Sequence, residues 1–77
     1  MADVERVRVE IGFVSGQMVI ATVPVTEADE LQQRLRQRSD QVVELRGEDG
    51  VYLVAVPHVT YLKRFMREGR VGFGADA

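Results

Sequence analysis

The chain has 77 residues, a formal net charge of −2 and no cysteine. This length fits one domain, and the charge lacks the strongly basic balance of most nucleic-acid-binding domains. Disulfides and thiolate metal sites are excluded, and the single histidine, His58, cannot hold zinc alone. A domain this small buries a thin core, so self-association is the remaining route to added stability.

The first part of the chain predicts a β-hairpin. Residues 4–14 alternate apolar and polar side chains as a half-buried strand does, and residues 18–25 form a second strand. A three-residue turn at 15–17 pairs Phe13 with Val19 and unites the apolar side chains of both strands on one face. A turn one residue shorter places them opposite polar residues, so we expect the first register.

An amphipathic helix over residues 27–38 is predicted next. Thr26 is a suitable N-cap, and Asp29 lies three residues on, as in a capping box. The apolar stripe has helical spacing and consists of Ala28, Leu31 and Leu35. Its narrowness predicts a helix that packs on a sheet with one face and meets solvent with the other.

A second hairpin follows the helix. Residues 41–46 and 51–56 flank the strongest turn of the sequence, at 47–50, whose Asp-Gly step is typical of hairpins. The second run is almost continuously apolar, which is consistent with a strand buried on both faces. Pro57 cannot donate to a sheet ladder and ends this strand.

Residues 58–67 fit two secondary structures, because their apolar side chains suit both a strand and a helical stripe. We expect a strand from about Val59 to Phe65. The whole sequence then predicts a single α+β domain over residues 1–77, with an antiparallel sheet of four to five strands, the order β-β-α-β-β-β and one amphipathic helix.

A carboxy-terminal tail, residues 68–77, follows the last predicted strand. Val71 and Phe73 stand between glycines there, and a solvated tail has no physical need of them. We expect the tail to pack on its own domain or on a neighbouring copy. The predicted hairpin also leaves an apolar patch on its outer face. The expected interface therefore consists of Val14, Met18, Ile20, Val71 and Phe73.

Several short motifs follow one another along most of the chain. They are Val9-Glu10-Ile11-Gly12, Asp49-Gly50, Val54-Ala55-Val56-Pro57, Val59-Thr60-Tyr61-Leu62 and Arg70-Val71-Gly72-Phe73-Gly74. In this order they resemble a small actinobacterial family of unknown function whose members end in Val-Gly-Phe-Gly. The resemblance implies the β-β-α-β-β-β order and a high-GC source, and it implies no activity.

No group of residues is typical of an enzyme. Ser15 and Ser39 occupy turn or cap positions, where serine is expected for backbone reasons. His58 has no identifiable partner for acid–base work, and Glu48 and Asp49 lie at an exposed hairpin tip. We expect no catalytic, cofactor-binding or metal-binding residue. The sequence contains neither a signal peptide nor an apolar run of membrane-spanning length, so we expect a cytoplasmic protein.

Two functional hypotheses result. The first is a non-enzymatic interaction module that forms homo-oligomers or binds a protein partner. The second is a small RNA- or single-stranded-DNA-binding protein, in which basic residues among aromatic ones in the segment 58–70 contact nucleic acid. The residues of the second hypothesis are Tyr61, Lys63, Arg64, Phe65, Arg67 and Arg70.

Overall fold

One helix and five strands follow one another along residues 4–66, the part of the chain that this computed structural model describes. In chain order they are β1 (Arg6–Phe13), β2 (Met18–Pro24), α1 (Val25–Arg36), β3 (Val42–Arg46), β4 (Val51–Ala55) and β5 (Val59–Arg64), with one 3₁₀ turn, Val56–His58, before β5. The predicted α+β class and element order are confirmed. The predicted tail, with Val71 and Phe73, lies outside the described residues.

The strands form two antiparallel sheets instead of the single sheet that the sequence predicted. β1 is the centre of the first sheet, in the order β2-β1-β5, and β3 pairs with β4 in the second. The helix accounts for part of this division. The backbone N–H of Arg46 at the end of β3 donates to Glu27 Oε1 of α1 at 2.7 Å. On the side of β3 away from β4, this N–H is therefore bonded to the helix and is not free to bond to a further strand.

The β1–β2 hairpin has a different register from the predicted one. The N–H of Phe13 donates to the carbonyl of Gln17 at 2.9 Å, and Ile11 lies opposite Val19, so the pairing of Phe13 with Val19 is wrong by two residues. Gly16 has φ +93°, and this left-handed conformation allows the tight turn. Because the shift is even, the same side chains still face inward.

Strand β5 contains an irregularity that explains its ambiguous sequence. Gly12 lies opposite Tyr61, whereas the next residue of β1, Phe13, lies opposite Val59. Thr60 is therefore an extra residue, as in a β-bulge. The bulge gives the two inward apolar residues of β5, Val59 and Leu62, the spacing of a helix although the segment is a strand.

The helix begins two residues earlier than predicted. It starts at Val25 with Pro24 in the N-cap position, so the expected cap by Thr26 is wrong. The N–H of Val25 donates to the carbonyl of Glu5 at 2.9 Å, which continues the β1–β2 ladder into the helix. The first turn is thus fixed by the preceding hairpin without a side-chain cap.

A single core lies between α1 and the inner faces of the two sheets. Its buried side chains are Val9, Ile11, Ala21, Val23, Ala28, Leu31, Val43, Leu45, Val54 and Val56. Among them, Leu31 is completely inaccessible and comes from the helix, which covers both sheets.

Strand β4 buries one face and exposes the other. Val54 is 4% exposed, whereas Val51 is 60% and Leu53 is 70% exposed. The expectation that this strand is buried on both faces is wrong within the described chain, because the core lies on only one side of the second sheet.

Leu31→Ala tests the shared core. We expect it to lower the free energy of unfolding by about 2–5 kcal/mol, because it leaves a cavity that neither sheet can fill without losing contact with the helix. Chemical denaturation followed by circular dichroism measures this loss. Gln33→Ala, on the exposed face of the same helix, is the matched control and should change stability by less than about 0.5 kcal/mol. Equal effects of the two substitutions would contradict the proposed core.

Candidate functional site

The outer face of the first sheet, which points away from α1, collects residues from three strands. The register places Ile20 and Lys63 on either side of Glu10, and Met18 and Tyr61 on either side of Gly12. The complete face consists of Met18, Ile20 and Thr22 from β2, Arg8, Glu10 and Gly12 from β1, Tyr61 and Lys63 from β5, and Phe65 just after it. This surface combines apolar, aromatic and charged side chains.

Tyr61 lies across the backbone of Gly12. Its ring occupies the space that a Cβ atom at Gly12 would need, so glycine at this position is what allows the close approach. The phenol O–H donates to the Glu10 carboxylate. This hydrogen bond, with partial desolvation and the nearby negative charge, raises the pKa of Tyr61 above its usual value.

Phe65 is contacted by two cations on the same face. The guanidinium carbon of Arg8 lies 4.8 Å from the centre of its ring, and Nζ of Lys63 lies 4.6 Å from it. Both distances fall within the range of cation–π attraction. The N–H of Phe65 also donates to the carbonyl of Arg8 at 2.9 Å, which extends the β1–β5 ladder beyond the last residue of β5.

Arg64 lies on the opposite side of the sheet. Its Nη1 donates to Asp29 Oδ1 and to Gln32 Oε1 of the helix, each at 2.8 Å. The structure therefore brings Tyr61, Lys63 and Phe65 together and separates Arg64 from them. Arg67 and Arg70, the other basic residues of the predicted nucleic-acid segment, lie outside the described residues.

The three predicted apolar interface residues of the hairpin are all exposed. Val14 is 65%, Met18 53% and Ile20 43% accessible. Met18 and Ile20 are neighbours on the outer face of β2, and Val14 stands in the turn before that strand. Val71 and Phe73, the other two members of the predicted interface, lie outside the described part of the chain.

A second exposed apolar surface lies on the outer face of the β3–β4 sheet. It contains Val42 (59% exposed), Val51 and Leu53, beside an ion pair of Arg46 with Glu44 at 3.3 Å. The sequence interpretation missed Val51 and Leu53 because it assigned the whole of β4 to the interior, and it gave no role to Val42 of β3. The alternation in β3, with Val43 and Leu45 inside, was the available sign that one face of the hairpin is open.

The described surfaces offer apolar, aromatic and charged groups for contact with another molecule. Within residues 4–66, no group of three histidine, cysteine or acidic side chains could hold a metal ion. The backbone carbonyl of His58 accepts a hydrogen bond from Val14 at 2.9 Å, and its side chain is exposed. The one described helix is too short and too polar to cross a membrane.

Comparisons of the chain with protein-family models, with curated proteins and with solved structures found no match. The resemblance to the small actinobacterial family therefore stays a prediction, although the element order that it implies is the one observed. Function has to be argued from the surfaces themselves.

The contact between Tyr61 and Glu10 gives a prediction about pH. Because the neutral phenol donates to the carboxylate, the folded state favours the protonated tyrosine, and its pKa is raised. The resulting stabilisation is complete below the unfolded pKa of about 10 and is lost as pH rises through the higher folded value. Glu10→Gln should lower the pKa of Tyr61 towards its usual value and weaken this loss of stability.

Ultraviolet absorbance of tyrosinate against pH measures this pKa. The titration uses a Tyr52→Phe background, because the bond from Tyr52 to Asp49 also raises a tyrosine pKa. Glu44→Gln, on the other sheet, is the control and should leave the titration of Tyr61 unchanged. An unaltered curve in Glu10→Gln would contradict the contact.

Proposed function

We propose that the chain is a non-enzymatic interaction module that self-associates. The observation that carries this proposal is the exposed apolar surface on the outer sides of both sheets and in the β1–β2 turn. Its members are between 43% and 70% accessible and are Val14, Met18, Ile20, Val42, Val51 and Leu53. Exposed apolar patches on a small domain are typical of contact sites.

The energetics favour association for a domain of this size. Complete burial of one large aliphatic side chain contributes roughly 1.5–3 kcal/mol, whereas a whole domain is typically stable by only about 5–15 kcal/mol. Covering even part of the six exposed side chains therefore changes the stability of the fold appreciably. A second copy provides such cover without disulfides, which the chain cannot form.

The carboxy-terminal tail belongs to the same proposal. A cavity lies beside the end of β5 and is lined in part by Val7, Val25 and Met66. Val71 lies five residues after Met66 in the sequence, so Val71 and Phe73 are within chain reach of this cavity in the same or a neighbouring copy. We propose that these two side chains bury apolar surface there.

Sedimentation velocity of the full chain from micromolar to millimolar concentration tests the proposal. We expect a mass above that of the 8.6 kDa monomer that rises with concentration, because mass action drives association. Removing residues 70–77 should shift this equilibrium towards the monomer. A full chain that stays monomeric over the whole range, while folded by circular dichroism, would refute self-association.

A second candidate function rests on the outer face of the first sheet. Tyr61 and Phe65 share this face with the cations of Arg8 and Lys63, and aromatic rings among basic residues are typical of single-stranded nucleic-acid platforms. The net charge of −2 and the Glu10 carboxylate in the centre of the face favour the first function over this one.

Fluorescence anisotropy with labelled single-stranded RNA and DNA at low salt tests the second candidate. If nucleic acid binds this face, an Arg8→Ala/Lys63→Ala double variant should lower affinity at least about 10-fold and flatten the salt dependence, because two phosphate-neutralising cations are lost. Arg64→Ala is the control, since Arg64 is bonded to the helix on the other side. Absence of salt-sensitive binding by the full chain would exclude this function.

A further inference from the structure

We infer that β4 is the strand through which two copies of the chain pair, edge to edge and antiparallel, about a two-fold axis at Leu53. The inference rests on the proposed self-association and names the element that carries it. It follows from the direction of backbone groups, from the sequence of the strand and from the way the other edges are occupied.

The β3–β4 ladder directs three backbone positions of β4 outwards. The N–H of Gly47 donates to the carbonyl of Gly50 at 2.8 Å, and the N–H of Val56 donates to that of Gln41 at 3.2 Å. Hydrogen-bonded positions alternate in an antiparallel pair, so Tyr52 and Val54 bond to β3. The intervening residues of β4 direct their N–H and carbonyl groups away from β3, and they are Val51, Leu53 and Ala55.

The sequence of β4 lacks the usual protection of an edge strand. Its five residues, Val51–Ala55, include no charged residue and no proline. Edge strands of monomeric proteins usually carry lysine, proline or a covering element that prevents pairing with another chain. An uncharged edge with aligned donors and acceptors is suited to receive another strand.

The other edges among the described residues each have such protection. Glu27 accepts from the outward N–H of Arg46 on β3. Lys63 lies on the β5 edge strand. The tip of the second hairpin, with Glu48 and Asp49, lies beside Ile20 and Thr22 on β2. By comparison, β4 is the edge that is best prepared for pairing.

A second copy fits this edge better than an unrelated strand does, because the edge complements itself. With the axis at Leu53, each copy places Leu53 opposite the other copy's Leu53, and Val51 opposite the other copy's Ala55. All three outward residues then donate and accept. The strand is uncharged, and Glu44 and Arg46 on the neighbouring strand β3 are paired with each other. The two copies therefore meet without like-charge repulsion.

Pairing of two copies would also stabilise the second sheet of the fold. The second sheet has only two strands, and a two-stranded sheet is marginal in isolation. Association of two copies produces a four-stranded sheet with β4 in its interior. The absence of charged residues and proline from β4 suits that interior position.

Leu53→Pro is the decisive substitution. Proline removes the outward N–H but leaves the β3–β4 ladder intact, because the N–H of Leu53 does not bond to β3, and edge strands tolerate proline. We expect the dissociation constant from sedimentation velocity of the full chain to rise about 10- to 100-fold, since each dimer loses its two central hydrogen bonds. Leu53→Ala keeps the N–H and should weaken association less than proline does.

Thr22→Pro is the matched control on another edge. Its N–H also points out of its sheet, because the hydrogen-bonded β1–β2 pairs fall on the neighbouring residues. We expect this variant to associate as the unaltered chain does. Loss of association in Thr22→Pro but not in Leu53→Pro would overturn the inference and leave the proposed self-association standing.

Amide hydrogen exchange of the unaltered full chain decides the matter if Leu53→Pro does not fold. The amides of Val51, Leu53 and Ala55 should exchange slowly at high concentration and quickly on dilution. Association without protection of these amides would overturn the inference alone, and the partner strand would then be sought elsewhere. A chain that is monomeric at every concentration would overturn both proposals, and protection that does not change on dilution would show that the edge is covered within one chain.

Discussion

One short helix has to cover the inner faces of two sheets, and the rest of the structure depends on this constraint. α1 contributes only two fully buried side chains, Ala28 and Leu31, to a core whose other members come from the strands and the 3₁₀ turn. The core therefore reaches one face of each sheet and no more. Many strand positions that point the other way are left exposed, and several of these positions carry apolar side chains.

The polar residues of the helix hold this arrangement in place. Glu27 bonds to the backbone of Arg46 in the second sheet, and Asp29 bonds to Arg64 of the first. The sequence interpretation placed Asp29 in a capping box, because a carboxylate in the first turn of a helix usually acts there. Partners that are 19 and 35 residues away in the chain replaced the local ones, and local patterns do not contain that information.

Periodicity predicted the positions of the helix and strands well, and it predicted the register and pairing of the strands less well. The alternation in residues 4–14 and the stripe of α1 are local signals, and both elements appeared within a few residues of their expected bounds. The hairpin register depended on the left-handed backbone of Gly16, which allows a turn at a different position from the expected one. The bulge at Thr60 depends on a partner strand 47 residues earlier, the separation of Phe13 from Thr60 in the sequence. The same non-local pairing places Arg8 on Phe65, a contact that no spacing in the sequence indicated.

The sequence of β4 is unusual for its position at the edge of a sheet, and this bears on assembly. An uncharged strand of five residues is typical of a sheet interior, yet in one chain it stands at an edge. An open edge of this kind ordinarily leads to unlimited addition of strands. The proposed two-fold contact limits itself. Once two copies of β4 have paired, the new outer strands are the two copies of β3, and on each of them the Arg46 amide already donates to Glu27. In the proposed dimer, the contact of the helix with β3 therefore also hinders the addition of a further strand at Arg46, which favours a closed dimer.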